Sequence, residues 1–207
     1  MKTLRGVYEM NVREELQKLN VGGEEFQFNH VMVNPKTIRA VMINEIVPEN
    51  PKDDFYGGAE AAYLSTTIPL FQKAGIQVST IQDILDKGIY ITNAVKIPKT
   101  EYTVAKESIE KSLPYLEREL ALFPNVKVIM LMGDVAKKAF NMISKKETRK
   151  NAVPSISTYK LRSSEIFYNG IRIIPSYIMT GKNLLIEKSK FEMASEDIAA
   201  MYKLIME

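Results

Sequence analysis

Residues Ile89–Ile97 read IYITNAVKI. The stretch is nearly continuous in apolar residues and rich in β-branched ones. A strand with one wet face alternates apolar and polar residues. One that does not alternate is buried on both faces, as in a parallel sheet covered by helices on each side. Ile38–Ile46 (IRAVMINEI) and Val126–Met132 (VKVIMLM) have the same character. A shorter run, Ile171–Ile174, ends abruptly at Pro175-Ser176.

Helical spacing fills the intervals: Val7–Leu19, Ala59–Ala74, Val104–Phe123, Asp134–Ser144 with Asp134 as N-cap, and Asn183–Met206 with a break near Ser195. Strands alternating with helices predict a three-layer α/β/α fold around a central four-stranded, mainly parallel sheet. Asn169-Gly170 is a hairpin-type turn signal feeding the last strand. Nothing divides the 207 residues, so they read as one domain, with 1–37 as an N-terminal extension.

There are no cysteines, which excludes disulfides, thiolate zinc sites and cysteine-held iron–sulfur clusters. The single histidine, His30, reads as structural. The N-terminus is charged and lacks the apolar core of a signal peptide, and no apolar run reaches the roughly 18 residues of a membrane span. A cytoplasmic monomer is the expectation, with no membrane partner and no cofactor. Net charge is +3, but residues 134–190 carry twelve Lys/Arg against four Asp/Glu, leaving the rest of the chain at −5. A basic C-terminal third suits a polyanion such as nucleic acid; the alternative is a solvated Lys-rich surface.

In open parallel sheets, ligands bind beyond the carboxyl ends of the strands. Glu45-Ile46 and then Asp53-Asp54-Phe55-Tyr56-Gly57-Gly58 follow the first strand; Asn93 lies near the end of the second; Gly133-Asp134 follows the third; Pro175-Ser176-Tyr177 follows the fourth. A carboxylate, a carboxamide, an aromatic pair and a hydroxyl converge there, beside lysines. That set suits a polar planar group near an anion. No phosphate-loop or GxGxxG pattern is present.

These residues resemble the uracil-DNA glycosylase superfamily, most of all its thermophile-type branch, family four. The likeness runs in order through Asn44–Pro48, Asp54–Glu60, IYITNAVKI, Pro114–Leu120, Val128–Gly133, Ala136 with Ala139, and Ile174-Pro175-Ser176. It covers roughly Ile38 to Met206. The chain departs from the branch in three ways. Ile174 stands where the family has the His of HPS, the cluster cysteines are absent, and Asn44 and Pro48 replace two glycines.

The resemblance implies a DNA partner and a base flipped out of the stack into a pocket. It implies that Glu45 orients water or stabilises a cationic sugar, while Phe55 stacks on the base. Asn93 reads the base edge, beside Ile46. Pro175 and Ser176 contact phosphate, with Ile178 or Met179 as an apolar wedge. Lys182 is a phosphate contact, and Lys96 and Lys160 are weaker ones; Asp53 and Asp54 read as loop residues. Three functions follow: a glycosylase acting on uracil or another deaminated base, a non-catalytic nucleic-acid- or nucleobase-binding relative, or an unrelated α/β binding protein or hydrolase.

Overall fold

The computed structural model describes residues 8–19, 26–98, 103–181 and 183–207. A short ladder, β1 (Met10–Asn11) with β2 (Met32–Val33), frames α1 (Val12–Gln17). Then come β3 (Ala40–Ile46), α2 (Leu64–Lys73), α3 (Ile81–Asp86), β4 (Ile89–Val95), α4 (Lys106–Ala121), β5 (Val128–Met132) and α5 (Asp134–Thr148). The chain closes with α6 (Thr158–Leu161), β6 (Ile166–Tyr168), β7 (Ile171–Ser176), α7 (Asn183–Ile186) and α8 (Lys188–Met206).

The main sheet has the order β4-β3-β5-β7-β6. The first four strands run parallel, as the unbroken apolar runs require. The fold class is therefore the expected one, but among the described residues the sheet has five strands. The fifth, β6, is antiparallel to β7 across the Asn169-Gly170 turn, where both residues have positive φ. It is three residues long with Phe167 exposed, so it carries little apolar signal.

Neighbouring residues on one strand feed opposite layers. Val41 and Ile43 pack with α1, α4 and α5 through Leu16, Leu116 and Phe140. Ala40 and Met42 pack with α2, α3 and α8 through Phe71, Ile84 and Ile198. Each fully buried Val, Ile, Leu, Met or Phe among them contributes about 1.5–3 kcal/mol.

Several expected boundaries move. The first helix is confined to Val12–Gln17, capped by Asn11, because Met10–Asn11 joins a strand. Ala59–Tyr63 turns before α2 begins. A capping box, Thr80 with Asp83, starts an α3 that the apolar pattern does not reveal. Asp134 is not an N-cap. Gly133 is, at φ 104°, and exposed Asp134 pairs with Lys137 at 2.6 Å. The C-terminal break falls at Glu187 rather than Ser195. The Ser195 hydroxyl donates to Glu192 O within α8, so the helix continues through it.

Residues 26–29, together with Tyr56, cover the outer edge of the sheet. Asn29 Nδ2 donates to Tyr90 Oη and to Ile91 O, the Tyr56 hydroxyl accepts from Ile91 N, and Gln27 N donates to Lys96 O. Phe26 and Phe28 pack on Tyr115 of α4.

Inside that face lies a buried ion pair. Lys96 Nζ donates to Glu119 Oε2 at 2.5 Å and to Thr92 Oγ1 at 2.7 Å. The hydroxyls of Tyr90 and Thr92 also donate to Glu119. Lys96, a weak phosphate candidate from sequence, is thus a core residue that binds α4 to β4. Among the described residues, no helix is long and apolar enough to cross a membrane.

Candidate active-site cleft at the strand ends

Glu45 is the penultimate residue of β3 and leans toward α5. Its Oε1 accepts from Val135 N at 3.0 Å. The carboxylate therefore sits on the positive end of a 15-residue helix, where backbone N–H groups and the helix dipole favour negative charge. Only glycine fits below it: a Cβ on Gly133 would lie 2.4 Å from Glu45 Oε1. Glu45 lines a cavity of about 550 Å³ with Ile46, Tyr63, Val135, Ile178 and Thr180.

The preceding residue, Asn44, faces the opposite layer, since successive strand residues alternate. It is the register partner of Asn93 on β4, and its Nδ2 donates to Asn93 Oδ1 at 2.8 Å. Asn93 Nδ2 donates to Asp54 at 2.9 and 3.0 Å. A carboxylate only accepts, so the amide nitrogen of Asn93 must face Asp54 and its oxygen must face Asn44. Thr180 Oγ1 donates to Asn44 Oδ1 at 3.3 Å, closing a buried chain from Asp54 to the cavity wall.

Of the sequence-derived residues, Glu45, Ile46 and Ile178 meet in one cavity. Asn93 and Phe55 do not line it. Both are buried, and they approach it through Thr180 and Tyr63. The Tyr63 ring packs on Phe55 at 5.2 Å, and its hydroxyl donates to Ile46 O at 2.8 Å. Burial pushes the Tyr63 hydroxyl up, reinforced by the carboxylates of Asp54 and Glu45. It stays a neutral donor.

Four expectations change. Pro175 and Ser176 are buried in β7 instead of facing a phosphate. The Ser176 hydroxyl donates to Asp197 at 2.5 Å, and Arg162 donates to the same carboxylate at 2.8 Å. Met179 is fully buried against α2 and α8, which leaves Ile178, 36% exposed, as the wedge candidate. Asp54 is not a plain loop residue but the partner of Asn93. His30 is exposed, and Lys182 lies outside the described residues.

Asn44, Asp54, Tyr63 and Thr180 escape sequence reasoning because their roles are set by partners far along the chain. The one local hint for Asp54 is its place directly before Phe55, whose N–H it accepts at 2.9 Å.

Burial raises the Asp54 carboxyl above its ordinary 3.8, against the pull of the donors Asn93 and Phe55 N. Below about pH 3.8 both folded and unfolded chains hold that proton. As pH rises, the unfolded chain ionises first, so this group's contribution to stability falls until the raised folded value is passed. Asp54→Asn is expected to remove that fall. Urea midpoints of the two proteins across this acid range should diverge; parallel curves would mean that Asp54 is solvated.

A search of curated proteins returned no match. A family model described as the Uracil DNA glycosylase superfamily matches residues 45–195, from the Glu45 carboxylate to the middle of α8. With well over half of its length matched, and with the mainly parallel α/β/α sheet described above, the chain belongs to the uracil-DNA glycosylase superfamily.

Proposed function

We propose that this protein is a DNA glycosylase that hydrolyses the N-glycosidic bond of uracil or another deaminated base flipped out of DNA. The observation that carries the reading is the Glu45 carboxylate, held on the N-terminus of α5 in a cavity at the carboxyl ends of the strands. As the bond from C1′ to the base nitrogen breaks, its electron pair leaves with the base and positive charge grows on the sugar. A fixed carboxylate stabilises that charge and accepts a proton from the attacking water.

Ile46 forms part of the cavity wall, and Ile178 is placed to fill the gap in the stack left by the flipped base. Phe55 stacks on the base once Tyr63 gives way, and Asn93 reads it once Asn44 and Asp54 release its amide. Ile174 offers no hydrogen to the departing base, which favours deaminated bases able to carry the charge themselves.

A second reading is a binding protein that does not cut. Ile174 favours it, as does the engagement of both amide ends of Asn93. The deciding experiment is base release from single-stranded and duplex oligonucleotides carrying uracil, hypoxanthine or xanthine. The expected result is release by the wild type and about a hundredfold slower release by Glu45→Ala. Salt-sensitive DNA binding with no release from any substrate would sink the catalytic reading and leave the second.

A further inference from the structure

We propose that the groove between α5 and the 151–156 loop holds the sugar–phosphate backbone of a single DNA strand flanking the nucleotide in the Glu45 cleft. This rests on the DNA-directed reading above. The groove is a cavity of about 410 Å³ whose polar lining includes Asp134, Lys137, Lys138, Asn141 and Lys145.

Its outer wall is fixed in advance. Asn141 Nδ2 donates to Val153 O at 2.8 Å, Val153 N returns a bond to Asn141 Oδ1 at 2.8 Å, and Ala152 N donates to Ser144 Oγ at 3.0 Å. A wall already ordered loses little entropy when a ligand arrives.

The charges are sorted within the groove. Lys137 is committed to Asp134 and to Thr158 Oγ1, each at 2.6 Å. Lys138 and Lys145 are exposed and have no ion-pair partner among the described residues. By contrast, Lys106 and Lys111 on α4 pair with Glu110 and Glu107. The acid nearest Lys145 in the chain, Glu147, is held by Tyr168 and Asn169.

The two free lysines lie seven positions apart on α5. That puts them on one helix face about 10.5 Å apart, the length of about three nucleotides stacked 3.4 Å apart. On the groove's loop wall Ile156 is 48% exposed, and Tyr159, next to the Thr158 that holds Lys137, is 69% exposed. Exposed apolar faces beside a basic track suit unpaired bases, which stack on them while phosphates follow the lysines.

The groove also begins where the cleft ends. Asp134 lines the groove, and the next residue, Val135, lines the Glu45 cavity and donates to Glu45. A strand leaving the cleft across the first turn of α5 runs straight into it.

The test measures fluorescence anisotropy of a single strand of about 15 nucleotides, a trimer and the matching duplex, from about 25 to 200 mM salt. Lys138→Gln/Lys145→Gln is compared with the wild type. Lys36→Gln/Lys127→Gln, at the opposite end of the sheet, controls for net charge. The expected result is weaker binding of the long strand by the groove variant, with the slope of log affinity against log salt shallower by about 1.4. The trimer and the control variant should show no such change.

A groove variant that matches the wild type on the long strand overturns the groove and leaves the glycosylase reading intact. A defect confined to the duplex overturns the single-strand path. A wild type that binds no DNA at any salt overturns both.

Discussion

Lys96→Met is expected to cost about 3–5 kcal/mol, read as a lowered urea midpoint with unchanged slope. The methylenes of lysine are replaced in kind, so packing is nearly preserved. What is lost is the ammonium 2.5 Å from Glu119, a carboxylate with no exposed surface. The hydroxyls of Tyr90 and Thr92 remain as donors, but two neutral hydrogen bonds do not offset the desolvation of an unpaired anion.

A loss of that size is a large fraction of the roughly 5–15 kcal/mol that holds a typical domain together. Lys96→Met/Glu119→Gln should recover much of it, because a carboxamide oxygen accepts from the same hydroxyls without carrying charge. A single variant within about 1 kcal/mol of wild type would mean that water reaches the pair.

Gly133→Ala should produce the other large effect, on stability and on base release together. At φ 104° and ψ 174°, Gly133 occupies a region essentially reserved for glycine, where any side chain costs about 1–3 kcal/mol. The added methyl would also meet the Glu45 carboxylate at 2.4 Å. Backbone on both sides resists a shift, since Gly133 N donates to Ser176 O and Gly133 O accepts from Lys137 N. Glu45 must therefore leave the α5 N-terminus.

On the glycosylase reading proposed above, base release should fall about a hundredfold, as in Glu45→Ala, while the melting temperature drops as well. The double variant Gly133→Ala/Glu45→Ala relieves the clash and should regain stability without regaining release. Normal release by Gly133→Ala would show that the carboxylate does not need its helix end.

The parallel sheet is legible in the sequence because burial on both faces removes polar residues from whole strands, as in VIMLM. Of the candidate site, Glu45 is legible because it is a lone carboxylate at a strand end, the place where open parallel sheets hold ligands. Glu119 lies in a charged amphipathic helix, and its spacing alone suggests water. Its burial comes from Lys96 and Tyr90, 23 and 29 residues away. Ser176 follows a proline at a strand end, which suggests a loop, yet Asp197 of α8 draws its hydroxyl inward. Asn93 is visible as a carboxamide at a strand end. That Asn44 and Asp54 take both of its ends depends on strand register and on a loop returning to the same point. Pair interactions of this kind leave no periodic trace.

The side-chain seal on β4 bears on what happens when this protein is cut or crowded. β4 is an outer strand, and a bare edge is a template on which another chain can add. Here Asn29 covers the Ile91 carbonyl and Tyr56 covers the Ile91 N–H, so the middle of that edge offers no free backbone pair. The family match begins at residue 45, and a fragment trimmed to it would discard Asn29 along with β1, β2 and most of β3. Such a fragment keeps the Tyr56 half of the seal, loses the Asn29 half and bares the other side of β4 as well, so removal of the residues before 45 should appear first as aggregation on expression.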